Sequence, residues 1–362
     1  MRPGRFLLAL ALAAGAALCL GAAPPPPVDD SRLLDPTPAP SLADYRLFLD
    51  AGGRRPNRGV MPYALNTPLF SDYAVKRRYL YLPPGSTVDY RAEGPLAFPV
   101  GAALVKTFAF PADFRKPGEA VRVIETRLLI RKAEGWSAVT YVWNADQTRA
   151  TPRRAGLRLP VSFVDARGRT RAFDYAVPNV NQCKQCHAQA GELGPIGPRA
   201  RNLNGVFDYP GGAENQLGHW TRIGRLRGAP PPEAAPRTPR WDDTAQPLAS
   251  RARAYLDANC GHCHSRAGLA SNSGLYLTLE ETDPDVLGVG KRPVAAGKGS
   301  GDLEVAIDPG HPARSILLYR MASTEPGVMM PQLGRSLGHD EGVALIRDWI
   351  AAMPAKTGAT TP

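Results

Sequence analysis

Apolar runs rich in β-branched and aromatic residues give a β pattern from about Tyr63 to Pro178. Val121 to Arg131 (VRVIETRLLIR) and Trp136 to Asn144 (WSAVTYVWN) are rich in β-branched and aromatic residues, with Glu134-Gly135 between them as a hairpin turn. Val161 to Val164 and Thr170 to Tyr175 form a second pair around Asp165 to Gly168, and Ala103 to Phe110 (ALVKTFAF) adds another strand. The pattern predicts an antiparallel, sandwich-like sheet domain over 41–180. Spacing of three and four takes over later and predicts helices over Gln246 to Ala258, Ala313 to Met321 and Asp340 to Met353. A shorter helix is predicted from Ser41 to Leu49, with Ser41 as its cap.

Proline sets the connections. Pro24 to Pro27, Pro36, Pro38 and Pro40 make 24–40 read as an extended tether, and 229–240 as a linker. Between them, 181–228 is a Gly-rich segment; 241–353 is the final domain and 354–362 a tail. Gly (36) and Pro (37) together make about a fifth of the 362 residues, which implies long irregular connections.

The N-terminus changes the compartment. Arg2 and Arg5 precede an apolar run from Phe6 to Leu20 and the small residues Gly21, Ala22 and Ala23. That is the layout of a secretory signal over 1–23, which predicts export to the periplasm. An uncleaved anchor is the competing reading, since Phe6 to Ala23 falls just short of the roughly 20 residues that span a bilayer. Membrane contact is therefore expected at most through an uncleaved N-terminus. Formal charge is +11, and losing Arg2 and Arg5 leaves +9. The basic clusters Lys76-Arg77-Arg78 and Arg149 to Arg154 lack a nucleic-acid fold signature and read as solvated surface. Lys106 likewise reads as an exposed strand residue.

The cysteines decide the chemistry. Apart from Cys19, in the signal, the four cysteines form two Cys-x-x-Cys pairs, each followed at once by His: Cys183-Lys184-Gln185-Cys186-His187 and Cys260-Gly261-His262-Cys263-His264. Haem c attachment needs two thiols that reach the two vinyl groups and an imidazole beside the second thiol to bind iron. A zinc ribbon places its pairs roughly 15–20 residues apart, whereas 73 residues separate Cys186 from Cys260. Local disulfides leave both histidines without a role. Two covalently bound haem c groups are expected, with His187 and His264 on the irons. The first haem's sixth position is open: His219 is the only other His near that motif, as a ligand or as a structural residue. Arg199, Arg201 and Arg222 are available to propionates.

The order helix, Cys-x-x-Cys-His, helix, Met-Pro loop, helix over 241–353 resembles the class I cytochrome c domain. That resemblance implies thioether anchors at Cys260 and Cys263, His264 as proximal ligand, and a methionine as the sixth. Gly327-Val328-Met329-Met330-Pro331 offers two methionines, of which Met330 has the usual Met-Pro context. His262, His311 and His339 read as surface or capping residues. Phe98-Pro99-Val100-Gly101, Leu104-Val105-Lys106-Thr107-Phe108 and Gly135-Trp136 resemble the cytochromes P-460 and β-sheet cytochromes c′, which implies a first haem held against a sheet. Residues 44–353 resemble a family of exported dihaem c-type cytochromes, through Tyr63 to Tyr73 (YALNTPLFSDY), Ile124 to Leu129 and Arg201-Asn202-Leu203-Asn204. Its genes often neighbour those for exported parallel β-helix repeat proteins, which implies such a protein as a redox partner.

The fold expectation is therefore an α+β multidomain chain: an antiparallel sheet domain followed by an all-α class I cytochrome c domain. The expected function is a periplasmic electron carrier between redox proteins. The alternative is a haem enzyme, reducing peroxide or oxidising a small substrate at an open first haem, with the second as electron port. The long β segment separates the chain from the mainly helical dihaem peroxidases.

Overall fold

The computed structural model describes residues 24–355; the expected signal segment lies outside them. Short β1 (Val60–Tyr63) and β2 (Val75–Tyr81) open the main sheet. After the two-residue β3 (Val88–Asp89) come β4 (Ala103–Pro111), β5 (Val121–Lys132), β6 (Gly135–Trp143) and β7 (Ala150–Pro152). Every pairing in the order β1-β2-β4-β5-β6-β7 is antiparallel. β4 is central and almost wholly buried, as its continuous apolar run requires. The β5–β6 turn is Ala133-Glu134, because Lys132 pairs with Gly135. β8 (Leu157–Val164) and β9 (Thr170–Val177) form a separate hairpin.

Each sheet face has its own cover. On one face Val105, Leu128, Ile130 and Tyr141 pack against Leu33, Leu42, Tyr45 and Leu47 of the N-terminal segment. Residues 24–40, expected as a tether, thus hold helix α1 (Asp30–Leu34) and bury Leu33 completely. Ser41 caps only a 3-10 turn, Leu42–Tyr45, which the left-handed Arg46 (φ 55°) terminates. On the other face Phe108, Phe110, Ile124 and Val142 meet Phe163 and Tyr175 of the β8–β9 hairpin. Further along that face Leu80, Leu104 and Leu129 pack with Leu203, Leu217 and Trp220. The latter belong to helices that follow α2 (Val180–His187): α3 (Ala200–Leu203) and α4 (Gln216–Arg222).

Two parts of the expected fold are corrected. The sheet is not half of a regular sandwich: the β8–β9 hairpin and short helices, rather than a second large sheet, pack on the face away from the N-terminal segment among the described residues. No all-α class I cytochrome c domain is evident over 241–353, and strand exceeds helix in the whole, 26% to 21%. That segment holds α5 (Leu248–Leu256), α6 (Ile316–Ala322) and α7 (Asp340–Ala351), of 9, 7 and 12 residues, joined by long irregular chain. The physical cause is backbone chemistry. Gly274, Gly288, Gly290, Gly297, Gly301 and Gly310 all adopt positive φ, which breaks helices. Periodicity was locally sound: α7 buries Gly342, Leu345, Ile346, Trp349 and Ile350, one face at helical spacing. Gly342 must be glycine, because a Cβ there would run into the Tyr255 ring of α5.

The C-terminal segment is tied to the β half by polar bonds. Asp72 accepts from the backbone N–H groups of Ser336 (2.6 Å) and Leu337 (2.7 Å). Arg171 pairs with Asp340 at 2.6 Å, and buried Arg201 with Asp257 at 2.9 Å. Both Cys-x-x-Cys-His motifs line one cavity.

Candidate functional site

The first motif lies on α2, capped by Asn179, which exchanges hydrogen bonds with Gln182. Spacings of three and four place Cys183, Cys186 and His187 on one helix face. The second motif follows α5 through a wide turn, Asp257–Gly261, and closes with Cys263 and His264 N–H groups both bonding the Cys260 carbonyl. All four cysteines are free. They line, with both histidines, a cavity of about 670 Å³ between the sheet and the C-terminal segment. Ala190 N–H bonds the Ala267 carbonyl at 3.2 Å, holding the loops after the two motifs side by side.

Cys186 and Cys263 meet across the cavity. Their contact lowers the Cys186 thiol, while the same contact and burial raise that of Cys263. Burial raises the Cys260 thiol to about 12. His262, expected at the surface, is buried, touches Cys186 and leaves Nδ1 without a partner.

Both motif histidines are oriented the same way. His187 Nδ1 donates to the Gly194 carbonyl at 2.9 Å, while Gly194 N–H returns a bond to the His187 carbonyl. His264 Nδ1 lies 3.2 Å from the Leu275 carbonyl and from Ser273 Oγ. A backbone acceptor on Nδ1 fixes the tautomer that leaves Nε2 a free lone pair, as a metal-binding imidazole needs. Burial lowers His187 to about 4 and lowers His264, keeping both rings neutral. Met329 and Met330 line the same cavity. Arg335 holds Met330 in place through its carbonyl at 2.8 Å.

The residues present fit haem c: two thiol pairs, two imidazoles with Nε2 free, a thioether and an apolar wall of Leu104, Leu129 and Ala138. Among the described residues no group of three or more His, Cys, Asp or Glu forms a metal cluster. His219 is not brought to this cavity. It stacks on Tyr209 (ring centroids 3.6 Å apart) and its Nδ1 lies 2.7 Å from Glu214, which also binds Arg222 at 2.6 Å. Of the expected propionate partners, Arg199 lines the cavity, Arg201 is taken by Asp257, and Arg222 sits with His219.

Strand register supplies what the sequence reading placed at the surface. Arg78, Lys106, Arg127 and Thr140 stand directly opposite one another across β2, β4, β5 and β6, on the face that floors the cavity. Arg77 alternates outward, while Lys76 and Arg78 turn in. Like charges directly opposite one another on a sheet face destabilise it. One carboxylate opposes the row: Glu125, fully buried, binds Arg127 at 2.5 Å and Tyr175 Oη at 2.5 Å. Burial lowers Lys76 to about 7 and takes Lys106 well below the usual lysine range.

His339 stands at the N-cap of α7, as expected of a capping residue, but its ring is largely buried. It stacks on Phe70 at 4.2 Å and bonds Tyr255 Oη through Nδ1 at 2.9 Å, at the cavity wall beside α7. His311, in contrast, caps a 3-10 turn and is half exposed. No family model, curated protein or solved structure compared with this chain matches it.

Proposed function

We propose that the chain is a periplasmic dihaem c-type cytochrome that passes electrons between redox partners, with both haems in the one cavity. The observation that carries this is the convergence of both Cys-x-x-Cys-His motifs on that cavity, each His held by Nδ1 with Nε2 free. Cys183 and Cys186 would hold the first group and His187 its iron; Cys260, Cys263, His264 and Met330 would hold the second. When bound, haem supplies one-electron exchange at iron. The chain's own residues then set the conditions for it. Gly194 and Leu275 orient the imidazoles, Leu104, Leu129 and Ala138 exclude water, and the Cys186–Cys263 contact brings the two attachment points together. The redox partner, an exported parallel β-helix repeat protein on the resemblance above, belongs to the same proposal.

A second reading has its own support. His219 lies outside the cavity, and a row of cations faces the first motif's side of it. Both favour an open first haem that binds a small ligand and acts as an enzyme. Pyridine haemochrome analysis should give two haem c per chain. The reduced spectrum before and after carbon monoxide separates the readings: no change supports electron transfer, and a shift of about half the haem supports the enzyme. Absence of covalent haem overturns both.

A further inference from the structure

The floor of the cavity carries charge that the dihaem reading does not use. Arg78, Lys106 and Arg127 are consecutive in one cross-strand row, so adjacent backbones are roughly 4.8 Å apart. Arg127 has its carboxylate, Glu125. Arg78 does not: it is 8% exposed, its one hydrogen bond is a long one of 3.4 Å to the Lys76 carbonyl, and Nη2 is buried without a partner. Lys106 Nζ rests 4.9 Å from the Phe108 ring centroid and joins no ion pair among the described residues. Arg78 and Lys106, adjacent in the row, thus line the cavity with no ion-pair partner of the protein's own among the described residues. Natural sheets avoid like charges directly opposite each other. Such a row is stable when a ligand brings the missing negative charge, and a carboxylate accepts from both a guanidinium and an ammonium group.

We propose that Arg78 and Lys106, backed by Arg127, form a binding site for a carboxylate or similar planar oxyanion on the cavity floor. The anion has two sources: a small ligand that diffuses in, or a propionate of the first haem. The second source rests on the dihaem reading; the first does not.

The test uses the full-length purified protein, its haem content measured first. Sodium formate is the probe, titrated calorimetrically at constant ionic strength, with midpoint potentials recorded in parallel. The variants are Lys106→Met, which keeps length and removes charge, and Lys106→Arg, which keeps charge. If the anion is diffusible, formate binds the wild type, at least tenfold more weakly to Lys106→Met, and again to Lys106→Arg. If a propionate fills the row, formate does not bind the wild type. One midpoint potential then falls in Lys106→Met with the other unchanged and haem content retained, since a cation that disfavours the oxidised iron is gone. The proposal is overturned if formate binding is absent or equal in wild type and Lys106→Met while neither potential moves. A haem-free chain that still binds formate through Lys106 keeps this site and sinks the dihaem reading alone.

Discussion

Replacing Glu125 by glutamine tests the charge balance of the cavity floor most directly. The Glu125 side chain is fully buried and its partner Arg127 is 27% exposed. Its two oxygens accept from Arg127 Nη2 (2.5 Å), Arg127 Nε (3.0 Å) and Tyr175 Oη (2.5 Å). Glu125→Gln keeps the shape, removes the one negative charge opposite the row, and turns an amide donor toward a guanidinium donor. Breaking a buried pair from one side destabilises by about 3–5 kcal/mol. Partial exposure of Arg127 places this case at the low end, about 3 kcal/mol, or about a hundredfold in the folding constant. Urea unfolding of wild type and variant, at equal slope, measures it. The double variant Glu125→Gln/Arg127→Met should recover much of the loss, because neither member of the pair is then left as a lone charge. A single-variant loss below about 1 kcal/mol would refute the claim that Glu125 is what neutralises Arg127 here.

His339 should make the fold acid-sensitive. Burial lowers it from 6.5 to about 4, so between those values the unfolded chain binds a proton that the folded chain refuses, and stability drops as pH falls. The contribution is at most about 3 kcal/mol; His339→Gln should flatten that part of a urea-midpoint profile from pH 7 to 4.5, and parallel profiles would count against it. Met330→Ala should alter the reduced spectrum and open about half the haem to carbon monoxide; an unchanged spectrum would remove Met330 as a ligand. His219→Ala should leave spectrum and carbon monoxide response as they are, because Tyr209 and Glu214 hold that ring outside the cavity; a shifted spectrum would restore it as a ligand.

The sequence by itself determined the chemical inventory and the longer strands β4, β5, β6, β8 and β9. Two thiol pairs each followed by His are local patterns, and β4, β5 and β6 announce themselves by runs of β-branched and aromatic residues and α7 by apolar spacing of three and four, which neighbouring residues alone encode. Chain-distant pairing was not legible. Whether Lys106 meets solvent or cavity depends on which face β4 turns toward the C-terminal segment, and Arg78 and Arg127 reach it only through register. His219 is 32 residues from His187 in sequence, yet a stacked Tyr209 and a Glu214 pair draw it elsewhere. The expected all-α domain failed for a related reason: α5, α6 and α7 form, but positive-φ glycines between them leave long irregular chain in place of further helix. Local periodicity fixes an element; only long-range burial and charge pairing fix what that element faces, and the single cavity shared by both motifs is a product of the second.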